Sequence, residues 1–161
     1  MKNQFQNTIQ RTVLDSGLTV VTEQVPSVET FSLGITAKAG TRHETGFPVG
    51  IAHFMEHAAF RNSVKKNSRQ IASQFESVGA YTNAFTTHEF TCFYVRAMNK
   101  HFRKAFNLLS EIVMHPNFKE NEINKERKII IEEIKSYLDD PEESIIDHAD
   151  RLLFGEHPLG N

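Results

Sequence analysis

Hydrophobic and polar positions change rhythm several times along this chain, and each change marks an element. Thr12-Val13-Leu14 and Leu18-Thr19-Val20-Val21 flank Asp15-Ser16-Gly17, which predicts a hairpin over about residues 11–25. Residues 30–38 read as a further strand, and Gly40–Pro48 as a loop by its glycine and proline content. The period becomes helical from Gly50 to about Arg61, and again from Ser68 to about Val78, with Gly79 as the expected C-terminal stop. Residues 80–87 and 89–97 predict two strands around a turn at Thr87-His88. Asn99 to about Met114 predicts an amphipathic helix with Phe102, Ala105, Phe106, Leu108, Leu109, Ile112 and Val113 inward. A long helix follows from Glu120 to about Leu138, stopped by Asp139-Asp140-Pro141, and a last one from about Glu142 to Leu153. Strands and helices follow no strict βαβ rhythm. The expected fold class is α+β, with helices on a largely antiparallel sheet.

Length places residues 1–161 in one domain with room for a real core. The tail from Leu152 to Asn161 reads as the middle of a loop, so the chain is expected to be truncated. A net charge of −2 argues against a dedicated nucleic-acid binder. The single cysteine, Cys92, excludes an internal disulfide framework and a cysteine-cluster metal site, and its strand context predicts a structural thiol. Met1–Gln6 is polar and lacks the apolar region of a signal peptide, and no run approaches a membrane span, so the expected setting is cytoplasmic without membrane contact.

The segment Gly50-Ile51-Ala52-His53-Phe54-Met55-Glu56-His57 carries the first chemistry. On a helix of about 100° per residue, His53 and His57 lie one turn apart on one face, where two imidazoles can bind one metal ion. Glu56 falls on the same side, placed to act on a water without being a ligand. Zinc is the expected ion, because it accepts imidazole and carboxylate and its catalytic sites use three protein ligands with a fourth position open. His-x-x-Glu-His is a known inverted form of the zinc-peptidase motif. The same five residues also admit a bland reading as solvent-facing groups.

The long helix adds a second signal. Its apolar stripe includes Ile123, Ile130, Ile134 and Tyr137, and Glu126 and Glu133 fall within it, seven apart and nearly aligned. Carboxylates on an inward face are costly unless paired or bound to metal. Glu132 points about 100° away from Glu133, so geometry favours Glu133 as third ligand. The alternative is an acidic helix edge tolerated beside Arg127 and Lys135.

These residues together resemble the pitrilysin/insulinase-like zinc metallopeptidases, most closely the processing-peptidase branch. The likeness runs through Leu14–Leu18, Ala39-Gly40-Thr41-Arg42-His43-Glu44, the Gly50–His57 helix, Glu126–Ile134 and His157-Pro158-Leu159-Gly160. Glu133 lies 76 positions after His57, which agrees with the family spacing. The resemblance implies His53, His57 and Glu133 as zinc ligands, Glu56 as general base and Glu126 as an outer supporting group. It also implies that Gly79–Thr86 is an edge strand which pairs with an extended peptide, with Asn83 and Ala84 nearest the scissile bond and Phe54 beside the substrate. Ala58-Ala59 and Arg61-Asn62-Ser63 depart from the common pattern, which has bulkier residues after the second histidine and Lys-Gly-Thr.

The expected function is therefore a zinc endopeptidase acting on extended peptides, and the resemblance implies that residues 1–161 are a fragment of a larger two-domain chain, with a second homologous domain or subunit closing the site. The alternative is a non-catalytic substrate-binding or scaffold subunit. The remaining histidines, His43, His88, His101, His115, His148 and His157, have no ligand-like spacing.

Overall fold

The computed structural model describes residues 8–160, in which the chain divides near Thr30 into two compact units. The first holds a hairpin. Strand β1 (Thr8–Val13) pairs antiparallel with β2 (Thr19–Gln24), with Arg11 opposite Val21 and Val13 opposite Thr19. The expected Ser-Gly turn is there, with Gly17 at φ +85°, a left-handed conformation that glycine adopts without a Cβ penalty.

The second unit is built on three strands in the order β3-β5-β4, where β3 is Thr30–Ala37, β4 Tyr81–Thr86 and β5 Thr91–Met98. β4 and β5 run antiparallel with Asn83 opposite Tyr94 and Ala84 opposite Phe93. β4 is thus an outer strand of its sheet among the described residues. The turn joining it to β5 is wider than Thr87-His88 alone, because Thr87 closes it, with its N–H donating to Phe90 O at 2.8 Å and its Oγ1 accepting from Phe90 N.

Five helices complete the unit: α1 (Ile51–Ala59), α2 (Ser68–Glu76), α3 (Phe102–Met114), α4 (Glu120–Leu138) and α5 (Pro141–Phe154). Local sequence sets their ends. Asn67 and Gln70 form a reciprocal capping box before α2, each bond 3.0 Å long. Pro141 ends nothing on its own side: it is the first residue of α5, behind the Asp140 cap. Among the described residues no helix is long and apolar enough to cross a membrane.

The core sits where Phe93 and Val95 of β5 meet Ile71 and Phe75 of α2 and Ala105, Leu108, Leu109 and Ile112 of α3. Ala59 joins it from α1, and Ala58 is equally buried. The Ala-Ala departure thus lies where α1 packs closely into the core. Two apolar expectations need correction. Phe102 and Phe106 are 47% and 42% exposed; they stack on each other at 6.0 Å, and Phe102 meets Phe31 edge-on. Along α4 only Glu126 and Ile130 are buried, while Ile134 is half exposed, so the buried stripe is shorter than the sequence period suggested.

Candidate metal centre

Helix α1 begins at an N-terminus that carries no capping side chain of its own, since Gly50 is the cap residue. The acceptor comes from the loop before it. Glu44, buried, accepts from Gly50 N and Ala52 N at 2.8 Å each. A carboxylate on these free N–H groups satisfies them and complements the helix dipole. The loop is itself fixed: Thr41 N and Arg42 N donate to Thr87 O and His88 O, and Arg42 pairs with Glu89. Gly40 is required there, because a Cβ would lie 2.3 Å from Thr87 O. Sequence reasoning missed Glu44 as a functional support; a carboxylate a few residues before an uncapped helix start was the available signal.

One turn into α1, His53 and His57 face each other with their Nε2 atoms 3.0 Å apart. Glu133, reaching over from α4, brings Oε1 to 3.8 Å from His53 Nε2 and Oε2 to 3.5 Å from His57 Nε2. The three residues offer ligand atoms all within 4.8 Å of one another. A tetrahedral ion bound at about 2.0–2.2 Å would hold its donors roughly 3.3 Å apart, so this triangle has the size and the N/N/O chemistry for one divalent ion. Glu132 takes no part and pairs with Lys135 in the same helix. The reason first given for Glu133 needs revision. Its side chain is 50% exposed, so it is not a carboxylate trapped in the interior; the buried one is Glu126.

Glu126 is 1% exposed and divides its two oxygens. Oε1 lies 3.0 Å from His57 Nδ1, and Oε2 receives Arg61 Nε. Burial by itself would push this carboxyl up; the hydrogen bonds and charges of Arg61 and His57 outweigh it and hold the carboxyl below the ordinary carboxylate value. A carboxylate at Nδ1 favours the tautomer with its proton there, which leaves Nε2 with a lone pair toward Glu133 and His53.

Glu56 is buried, and its Oε2 accepts from Thr86 Oγ1 of β4 at 2.5 Å. Thr91 Oγ1, 3.3 Å from Thr86, donates its own proton to Ala39 O at 2.7 Å. Each hydroxyl has one proton, so Thr86 is committed to Glu56. Nothing in the sequence coupled Thr86 to the helix motif. Glu56 and His57 border a cavity of about 230 Å³ with Phe60, Arg61, Asn83 and Glu126. Of the expected substrate residues, Asn83 is on this cavity. Ala84 packs toward the core, and Phe54 is half-buried and absent from the cavity wall, where Phe60 stands instead. Among the other histidines, His88 accepts or donates at Thr41 Oγ1 (2.9 Å) and faces Asp150, and joins no ligand set.

The sequence description "Insulinase (Peptidase family M16)" matches residues 19–161. This chain belongs to that family. It is 37% identical over 152 residues to the uncharacterized zinc protease YmxG of Bacillus subtilis, covering 94% of this chain and 37% of that protein. An uncharacterized zinc protease of Rickettsia felis is 36% identical over 147 residues, covering 91% of this chain and 36% of that protein. The chain therefore spans little more than a third of these relatives. In fold it is similar to a protease from Helicobacter pylori, with TM-score 0.87, 24% identity, and coverage of 96% of this chain and 37% of that one. A peptidase M16 inactive domain from Pseudomonas fluorescens reaches the same TM-score at 18% identity, with coverage of 96% and 38%. The expected α+β fold and the insulinase-like family both hold.

Proposed function

We propose that this chain supplies the metal-binding and proton-transfer half of a zinc endopeptidase that cuts extended peptides. The observation that carries the reading is the convergence of His53, His57 and Glu133 from two helices into one donor triangle, with Glu56 one residue before His57 and not part of it. His53 Nε2, His57 Nε2 and a Glu133 oxygen would hold the ion. Zinc, when bound, polarises a peptide carbonyl and lowers the pKa of a coordinated water.

The chain's own residues do the rest. Thr86 holds one oxygen of Glu56, which leaves the other to take a proton from the attacking water and pass it to the leaving amine. Glu126 keeps His57 in the ligating tautomer. The substrate backbone would join the outer edge of β4 as an added strand, which gives affinity through main-chain bonds with little demand on sequence. Asn83 Oδ1 now accepts from Ala84 N at 2.9 Å, and a bound peptide carbonyl would take that place. A second homologous domain or subunit would close the other side of the peptide.

Two variants in the full-length protein test this. Glu133→Gln should lose zinc, measured as metal per protein chain. Glu56→Gln should keep zinc and lose peptide hydrolysis. A Glu56→Gln protein that still cleaves at the wild-type rate refutes the assignment of the base, and a wild-type protein that binds zinc without cleaving any extended peptide supports the non-catalytic scaffold instead.

A further inference from the structure

His57 and Arg61 stand four residues apart, and the chain keeps turning between them: Phe60 N and Arg61 N donate to His57 O and Ala58 O. Arg61 thus sits in the turn just past the end of α1 at Ala59, about one turn on from His57. They reach the same carboxylate on α4, and each takes one oxygen of it. Glu126 is 1% exposed, and Arg61 is the one cation paired with it apart from the histidine among the described residues.

On this arrangement, which rests on the metal-centre reading above, we infer that Arg61 is a positioning residue for the metal centre. It acts through Glu126 and touches neither the ion nor the substrate. A carboxylate free to rotate can present either oxygen, or the space between them, to an imidazole. A guanidinium fixed on Oε2 removes that freedom and aims Oε1 at His57 Nδ1. A planar guanidinium is well suited to this, because it is always charged and its donors are held in a rigid fork. The effect reaches the third atom in line: with Nδ1 held, His57 Nε2 stays turned toward His53 and Glu133. Outer partners of ligating histidines commonly govern metal affinity by about 10–100-fold. Here that control is extended by one more side chain.

The experiment is a Zn²⁺ titration against a competing chelator, with thermal unfolding of each apo-protein alongside. It compares the full-length protein with Arg61→Met, Arg61→Lys, Glu126→Gln and the Arg61→Met/Glu126→Gln double variant. Arg61→Met should weaken zinc binding by about 10–100-fold, and Arg61→Lys should recover most of the loss. On the Glu126→Gln background, Arg61→Met should change the affinity by no more than about twofold, because its route to the metal is already cut. A purely structural role would lower the melting temperature and leave the zinc Kd in place. Wild-type affinity in a folded Arg61→Met overturns the inference. So does a full additional loss in the double variant. If Arg61→Met fails to fold, the lysine variant and the double variant still decide. Absence of zinc binding in the wild type would instead remove the metal-centre reading itself, and this inference with it.

Discussion

Glu126 and Glu133 lie two turns apart on one side of α4, yet one end of this face is closed and the other open. Glu126 is buried with both oxygens engaged by Arg61 and His57, whereas Glu133 is half exposed and, among the described residues, meets the two imidazole nitrogens. The same residue type at equivalent helical positions is thus given two tasks by its surroundings. On the proposed reading, the closed carboxylate orients a ligand and the open one is free to be a ligand. An ion needs an approach path and an exchangeable position, so a fully satisfied interior carboxylate is poorly suited to the second task.

The comparison can be broken in order of effect. The largest change is expected from Glu56→Gln, the group beside the triangle but outside it. Peptide hydrolysis should fall by about 10²–10⁴-fold with zinc content unchanged, read from kcat and metal analysis. Glu133→Gln should come next in kind, with zinc affinity reduced by more than the roughly 10–100-fold usual for an outer partner. Should Glu126→Gln prove the more damaging of the two for zinc affinity, the division between open and closed ends is wrong. Glu44→Ala tests whether α1 must be held from its start: loss of two charge-assisted bonds to helix N–H groups should cost about 1–3 kcal/mol in chemical denaturation.

The smallest effect concerns a carboxylate that is not part of the metal centre. Burial pushes Glu111 up, but Lys66 and Ser63 bind it and hold it below the ordinary value of 4.5. A carboxyl depressed in the folded state contributes stability that is fully present above about pH 4.5 and is lost as the pH falls through its folded value. Glu111→Gln should therefore flatten the fall in stability on the acid side of pH 4.5, measured by urea unfolding at a series of pH values. An unchanged slope would mean that Lys66 and Ser63 do not hold the charge.

Much of this was legible in the sequence because it is written in short-range spacing. The histidine pair, Glu56 and the alignment of Glu126 with Glu133 follow from helical period alone, and the elements fell within a few residues of their expected ends. Long-range partners were not legible. Arg61 with Glu126, Thr86 with Glu56 and Glu44 with Gly50 each join residues whose meeting depends on how helices and strands cross, and no local period encodes that. The burial of Glu133 was misjudged for a related reason: a helix face reads the same from sequence whether it turns to a core or to an open cleft.

The β4–β5 turn has one more implication. Its carbonyls at Thr87 and His88 seat the loop that presents Glu44, and the strand entering it carries Thr86 to Glu56. The turn thus braces the motif helix twice, at its start through Glu44 and toward its end through Glu56. Gly40 is the shim of this brace, and its thickness has no tolerance: a Cβ there would lie 2.3 Å from Thr87 O.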